Sequence, residues 1–228
     1  MAPEGKRRLS RVVLVPVLLA PLALSLWWLT TRSERVASQF DDVLDAALAP
    51  VMQQREVQQK LRAATATQAR LLARELALRS VPYLSPRDLE LWAATRARVA
   101  HASKPACAHL WKGGDESFLG PEIAALGDET LGAYVDMLAR GLALRLEQKP
   151  PPSVSIAAID HGFAAIAEQL PVEERERFQV DVKRHDVSDA RACELFLALS
   201  NGAEKLDPAP RADFYRALAG ALEVPRGP

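Results

Sequence analysis

Residues 12–30 form a run of 19 residues without one charged side chain. Crossing the hydrocarbon core of a bilayer as a helix takes about 20 apolar residues. The run is just long enough, and it constrains the chain more than any other feature. The segments on its two sides are expected on opposite faces of a membrane. Lys6, Arg7, Arg8 and Arg11 precede the run, while only Arg32 and Arg35 come soon after it, with Glu34 between them. The bias of positive charge toward the cytoplasmic side holds the N-terminus in the cytoplasm and exports the rest. Trp27 and Trp28 stand at the far end, where aromatic rings favour the lipid–water interface. Pro16 and Pro21 lie inside the run and are tolerated in a membrane helix, with a kink. A cleaved signal peptide is the rival reading. Its apolar region is normally about 7–15 residues long. The nearest small-x-small site, Ala23-Leu24-Ser25, falls inside the run rather than after it. The reading is therefore a cytoplasmic tail over 1–11 and a signal anchor over 12–30, in contact with membrane lipid.

The chain has 228 residues, enough for one membrane segment and one domain. Its 29 basic and 29 acidic side chains balance. A nucleic-acid-binding domain carries a clear basic excess, so nucleic acid is not an expected partner. Arginine outnumbers lysine 22 to 7, alanine and leucine abound, and the lone asparagine, Asn201, is followed by Gly-Ala. The bias suggests a GC-rich bacterial genome, and the chain has no glycosylation sequon. The expected location is the bacterial inner membrane, with the domain in the periplasm.

Beyond residue 33 the pattern is helix and turn, and an all-α fold is expected. Phe40, Val43, Leu44, Ala47, Leu48 and Val51 recur at helical spacing. A heptad through Phe40, Leu44, Ala47, Val51 and Leu61 is interrupted by Gln54 and Gln58, so residues 33–80 read as a helical stalk and first helices rising into the domain rather than a long coiled coil. Residues 81–224 read as a compact bundle of about six to eight helices. Ser85-Pro86-Arg87-Asp88 places a cap, a proline and an acid in the order a helix start favours. Asp207-Pro208 and Pro171-Val172-Glu173-Glu174 repeat the device. Gly113-Gly114 and Asn201-Gly202 read as helix stops. Gly127-Asp128 separates a short helix over 121–126 from a longer one over 129–147. The Pro-rich segment 149–153 reads as a stiff connection within the bundle, because the chain beyond it would make a small core alone. Tyr83, Trp92, Trp111, Phe118, Tyr134, Phe163, Phe178, Phe196, Phe214 and Tyr215 are the aromatic anchors, and most fall at core-compatible positions.

Cys107 and Cys193 are the only cysteines. In an exported domain they are expected to form a disulfide across the Pro-rich connection. The alternative is two buried thiols. Cys107, His109 and His101 lack the spacing of a metal site, and no metal or cofactor is expected. Asp160-His161 and His185-Asp186, with Ser188-Asp189 nearby, could serve as acid–base pairs, yet adjacency alone is not a triad. The segment from Lys183 to Asp189 reads better as a loop ending in a helix cap. No catalytic residue is assigned. The leading expectation is a non-enzymatic protein that binds another envelope protein, as a scaffold, an assembly factor or an inhibitor of a periplasmic toxin. The alternatives are an envelope hydrolase using His161 or His185, and an ectodomain that binds a small ligand.

Overall fold

Side-chain caps start four of the described helices. The computed structural model describes residues 39–60, 64–113, 119–147, 156–184 and 186–223. Helix α1 covers 39–52, and next come α2 (Arg55–Lys60) and α3 (Ala66–Leu78). Thr65 begins α3 with a reciprocal capping box: its hydroxyl accepts from the Gln68 N–H, and the Gln68 side chain accepts from the Thr65 N–H. A 3₁₀ turn over Val81–Tyr83 leads to α4 (Pro86–Ala102), which Ser85 caps through the Asp88 N–H at 3.2 Å. Ser103 both ends α4 and starts α5 (Lys104–Lys112). Its N–H donates to the Val99 carbonyl, and its hydroxyl accepts from Ala106. Gly113, at φ 73°, stops α5 as the sequence predicts. The short α6 (Gly120–Ala124) and the long α7 (Asp128–Leu146) come next, within two residues of their expected limits. The chain continues through α8 (Ile156–Glu168), α9 (Val172–Asp181), α10 (Asp189–Ala203) and α11 (Pro208–Glu223). Among the described residues there is no strand, and the fold is all-α as expected.

Helix α4 is the hub, packed against α5, α6, α7, α10 and α11. On one side α3 lies on α7, whose Leu131, Tyr134, Met137, Leu138 and Leu142 are almost wholly buried. On the other, α8 packs against α9, α10 and α11, and α5 lies along α10. Arg216 on α11 is buried and donates to the carbonyls of Pro82 and Leu84, both at 3.2 Å. It thereby satisfies the turn that joins α3 to α4.

Three expectations change. The stalk does not stand apart over the described residues. Phe40, Leu44 and Leu48 of α1 and Ala73 and Ala77 of α3 belong to the same apolar cluster as the bundle. Arg74 locks α3 onto α1 through Asp41 at 2.9 Å and Asp45 at 2.6 Å. Gly202 is not a stop, because α10 runs through it to Ala203. A side chain there would meet the buried Ile166 of α8, its Cβ only 2.6 Å from Ile166 Cγ2, so the glycine serves close helix approach. Pro171 sits one residue outside α9 as its N-cap, not at the first helical position. The expected membrane segment 12–30, with Lys6, Arg7, Arg8, Arg11, Trp27 and Trp28, lies outside the described residues, as does the Pro-rich segment 149–153. No described helix is long and apolar enough to cross a membrane.

Candidate functional site

The buried stripe of α4 runs Leu89, Trp92, Arg96, Val99. An arginine on such a stripe is costly unless its charge is compensated. Arg96 is 5% exposed, and its guanidinium lies 4.5 Å from the centroid of the Trp92 ring, one turn away. A cation over an indole face offsets part of the desolvation. The two residues open onto a cavity of about 250 Å³. Leu110 and Trp111 of α5 form one wall, and Phe196 and Leu199 of α10 another. Ile159 and Phe163 of α8 and Tyr215 and Leu218 of α11 also line it. Phe163 is held edge-on to Phe214, with centroids 5.6 Å apart. Val182 and Arg184, just after α9, complete the lining.

The polar groups of this lining are few. The Trp92 ring borders the cavity, but its Nε1 has no accessible surface there and finds no acceptor among the described residues. Tyr215 is 5% exposed, and burial pushes its phenol up to about 12. Glu90, Glu204 and Arg211, which line a neighbouring depression together with Tyr215, are the charges that act on its hydroxyl. Arg184 is half exposed and pairs with Asp186 through two bonds, of 3.0 and 3.1 Å. Hydrogen bonding to Asp186 holds its guanidinium above the usual range. Among the described lining residues, two are arginines and none is acidic.

Cys107 and Cys193 are joined, as expected, with their Cα atoms 4.9 Å apart. The bridge fastens α5 to α10 one turn before Leu110 and one turn before Phe196, so it braces two walls of the cavity.

The remaining residues singled out by sequence do not converge. His101 is exposed near the end of α4, and His109 is half-buried on α5. Among the described residues no group of His, Cys, Asp and Glu could hold a metal ion. Asp160 and His161 are exposed on α8. His161 lines a wide surface depression with Lys205, Asp207 and Asp213, on the helix face opposite Ile159 and Phe163. His185 lies outside the described residues. Ser188 caps α10 by accepting from the Arg191 N–H at 3.3 Å. Sequence reasoning placed Trp92, Trp111, Phe163, Phe196 and Tyr215 in the core and missed the space between them. The available signal was Arg96, seven residues after Leu89 and four after Trp92, on an otherwise apolar face. No family model matches the chain, no curated protein matches its sequence, and no solved structure matches its fold.

Proposed function

We propose that the chain is a membrane-tethered binding protein whose exported helical domain holds a small ligand between α4, α5, α8, α10 and α11. The observation that carries this reading is the aromatic-lined, partly open cavity between these helices. Ligand sites are concave and mostly apolar, with a few polar groups that fix orientation, and this lining fits that description. At about 250 Å³ the cavity lies just below the usual size range for such sites, which suits a small occupant. The tether rests on the apolar run over 12–30 and the basic side chains before it. The periplasmic location draws support from the Cys107–Cys193 bridge, since disulfides persist in oxidising compartments.

The test uses the full chain in lipid nanodiscs with 5-fluorotryptophan at its four tryptophans, each fluorine resonance assigned by a single Trp→Phe variant. Titration with 1-octanol should shift the Trp92 and Trp111 resonances saturably. Trp27 and Trp28 would report any ligand that merely partitions into lipid. Ala93→Phe, which fills the cavity, should abolish the saturable shift. No saturable shift at Trp92 or Trp111 would overturn the reading.

Docking of another envelope protein is a second reading. It is favoured by Leu71 and Leu72, adjacent apolar side chains exposed on α3. Leu71→Glu should then weaken co-purification of that partner while leaving the octanol shifts unchanged.

A further inference from the structure

We propose that the cavity takes the hydrocarbon end of a single-chain amphiphile, tail first, and leaves the polar head at a mouth beside Arg184. The inference rests on the cavity reading above and adds the class and orientation of the occupant. Its basis is that the polar groups of the lining are engaged elsewhere. Arg96 is held against the Trp92 ring, 4.5 Å from its centroid, and does not lack a partner. Trp92 Nε1 has no accessible surface, so Trp92 offers the cavity its ring carbons. The charges that act on the Tyr215 hydroxyl are Glu90, Glu204 and Arg211, which share with it the neighbouring depression. The hydroxyl therefore belongs to that depression and the ring to the cavity. Apart from these groups, Arg184 and the Trp111 indole, the described lining side chains are hydrocarbon. A polar head placed against such a wall would lose its hydration and gain few hydrogen bonds in return. A hydrocarbon chain loses nothing there and leaves water.

The position of the mouth follows from exposure. Arg184 alone among the described lining residues is exposed. Its side chain is 53% exposed and pairs with Asp186. The cavity thus meets water where this ion pair stands. A partly open cavity encloses one end of a ligand and leaves the other in solvent, which is the arrangement an amphiphile requires. The pair carries one charge of each sign in an exposed setting, so it discriminates weakly between anionic and cationic heads. The site reads the tail and is nearly indifferent to the head.

Size limits the tail. At about 30 Å³ for a water-sized group, a cavity of about 250 Å³ encloses a chain end of about eight carbons. It leaves no room for the two chains of a phospholipid.

The experiment uses the full chain in nanodiscs and the fluorotryptophan readout at Trp92 and Trp111. Each ligand is held at a known free concentration by dialysis against a reservoir, so that uptake by lipid does not distort the affinity. Across the 1-alkanols from butanol to dodecanol, affinity should rise about fourfold with each added methylene and level off near octanol. Octanoate and octylammonium should each bind within about fivefold of octanol, the scale of an exposed charge. Arg184→Glu reverses the charge at the mouth. It should weaken octanoate by about two- to fivefold, strengthen octylammonium by a similar factor, and leave the alkanol series unchanged. A saturable affinity that ignores chain length, or keeps rising through dodecanol, would overturn the enclosed tail and leave the cavity reading standing. Octanoate binding more than about tenfold tighter than octanol would place the head inside the bundle and overturn the orientation. Charged-ligand affinities that Arg184→Glu does not move would overturn it as well. Failure of every alkanol to shift Trp92 or Trp111 would overturn the cavity reading itself, and this inference with it.

Discussion

At the scale of single residues, two glycines in helices make opposite demands. Gly202 lies inside α10 with Ile166 against it, and Ile166 is completely buried. A Cβ there would approach Ile166 Cγ2 to 2.6 Å and Cγ1 to 3.0 Å, closer than van der Waals contact allows. Ile166 cannot swing into solvent, so α8 and α10 must move apart. Gly202→Ala should lower stability by about 1–3 kcal/mol, the usual penalty of overpacking. Gly132 lies inside α7 with nothing within 4 Å of the Cβ position. There the added methyl meets no obstacle and removes backbone freedom from the unfolded chain. Gly132→Ala should raise stability by about 0.5–1 kcal/mol. Urea denaturation of both variants checks the pair, and shifts of the same sign would refute the packing account. The contrast also marks what sequence could carry. Asn201-Gly202 has the composition of a helix stop, but its role depends on an isoleucine 36 positions earlier in the chain. Arg96 is similar: its position on the apolar stripe is legible, but the walls from α5, α8, α10 and α11 that make it a lining residue are not.

At the scale of elements, the start of α4 carries a linkage between local capping and tertiary contact. Asp88 accepts from Ser85, its own capping residue, and from Arg140 on α7. Burial alone would raise the Asp88 carboxyl, but bonding to Arg140 and Ser85 outweighs it and the net shift is downward. A carboxyl lowered in the folded state contributes stability above its unfolded value, near pH 4, and loses it as pH falls through the lower folded value. Asp88→Asn should therefore destabilise the protein at neutral pH, and the gap to wild type should close as the pH drops below about 4. Chemical denaturation at a series of pH values measures that gap, and a gap that persists undiminished in acid would contradict the linkage. Boundaries of this kind were legible because the signals are local. Ser85 and Ser188 cap within three residues of themselves, and Gly113 stops α5 through its own positive φ. Thr65 and Gln68 form a capping box with an equally local sequence signature. The packing of α1 and α3 was not legible, because Arg74 finds Asp41 and Asp45 only when the chain doubles back.

At the scale of the whole molecule, the disulfide joins positions 86 residues apart and encloses α6, α7, α8 and α9 in its loop. Both sides of the Pro-rich segment 149–153 feed one apolar cluster, so the bridge constrains a single cooperative core rather than a local excursion. On the chain-entropy account, closing a loop of that length removes about 4–5 kcal/mol of unfolded-state freedom, and measured bridges deliver about 2–4 kcal/mol. The double variant Cys107→Ala/Cys193→Ala should lose about 2–4 kcal/mol, seen as one lowered transition and not as an additional early one. Reduction of the wild type should lower its melting temperature toward that of the variant, while reductant should leave the variant itself unaffected. An unchanged wild-type melt after complete reduction would argue against a stabilising bridge. The same bond has a second consequence, because it is anchored one turn from Leu110 on α5 and from Phe196 on α10. Releasing it frees two walls of the cavity to separate. The bound fluorotryptophan shifts at Trp111 should then weaken under reductant at temperatures well below the melt. If ligand binding survives reduction undiminished while stability falls, the helices alone hold the walls, and the bridge serves only the folded state as a whole.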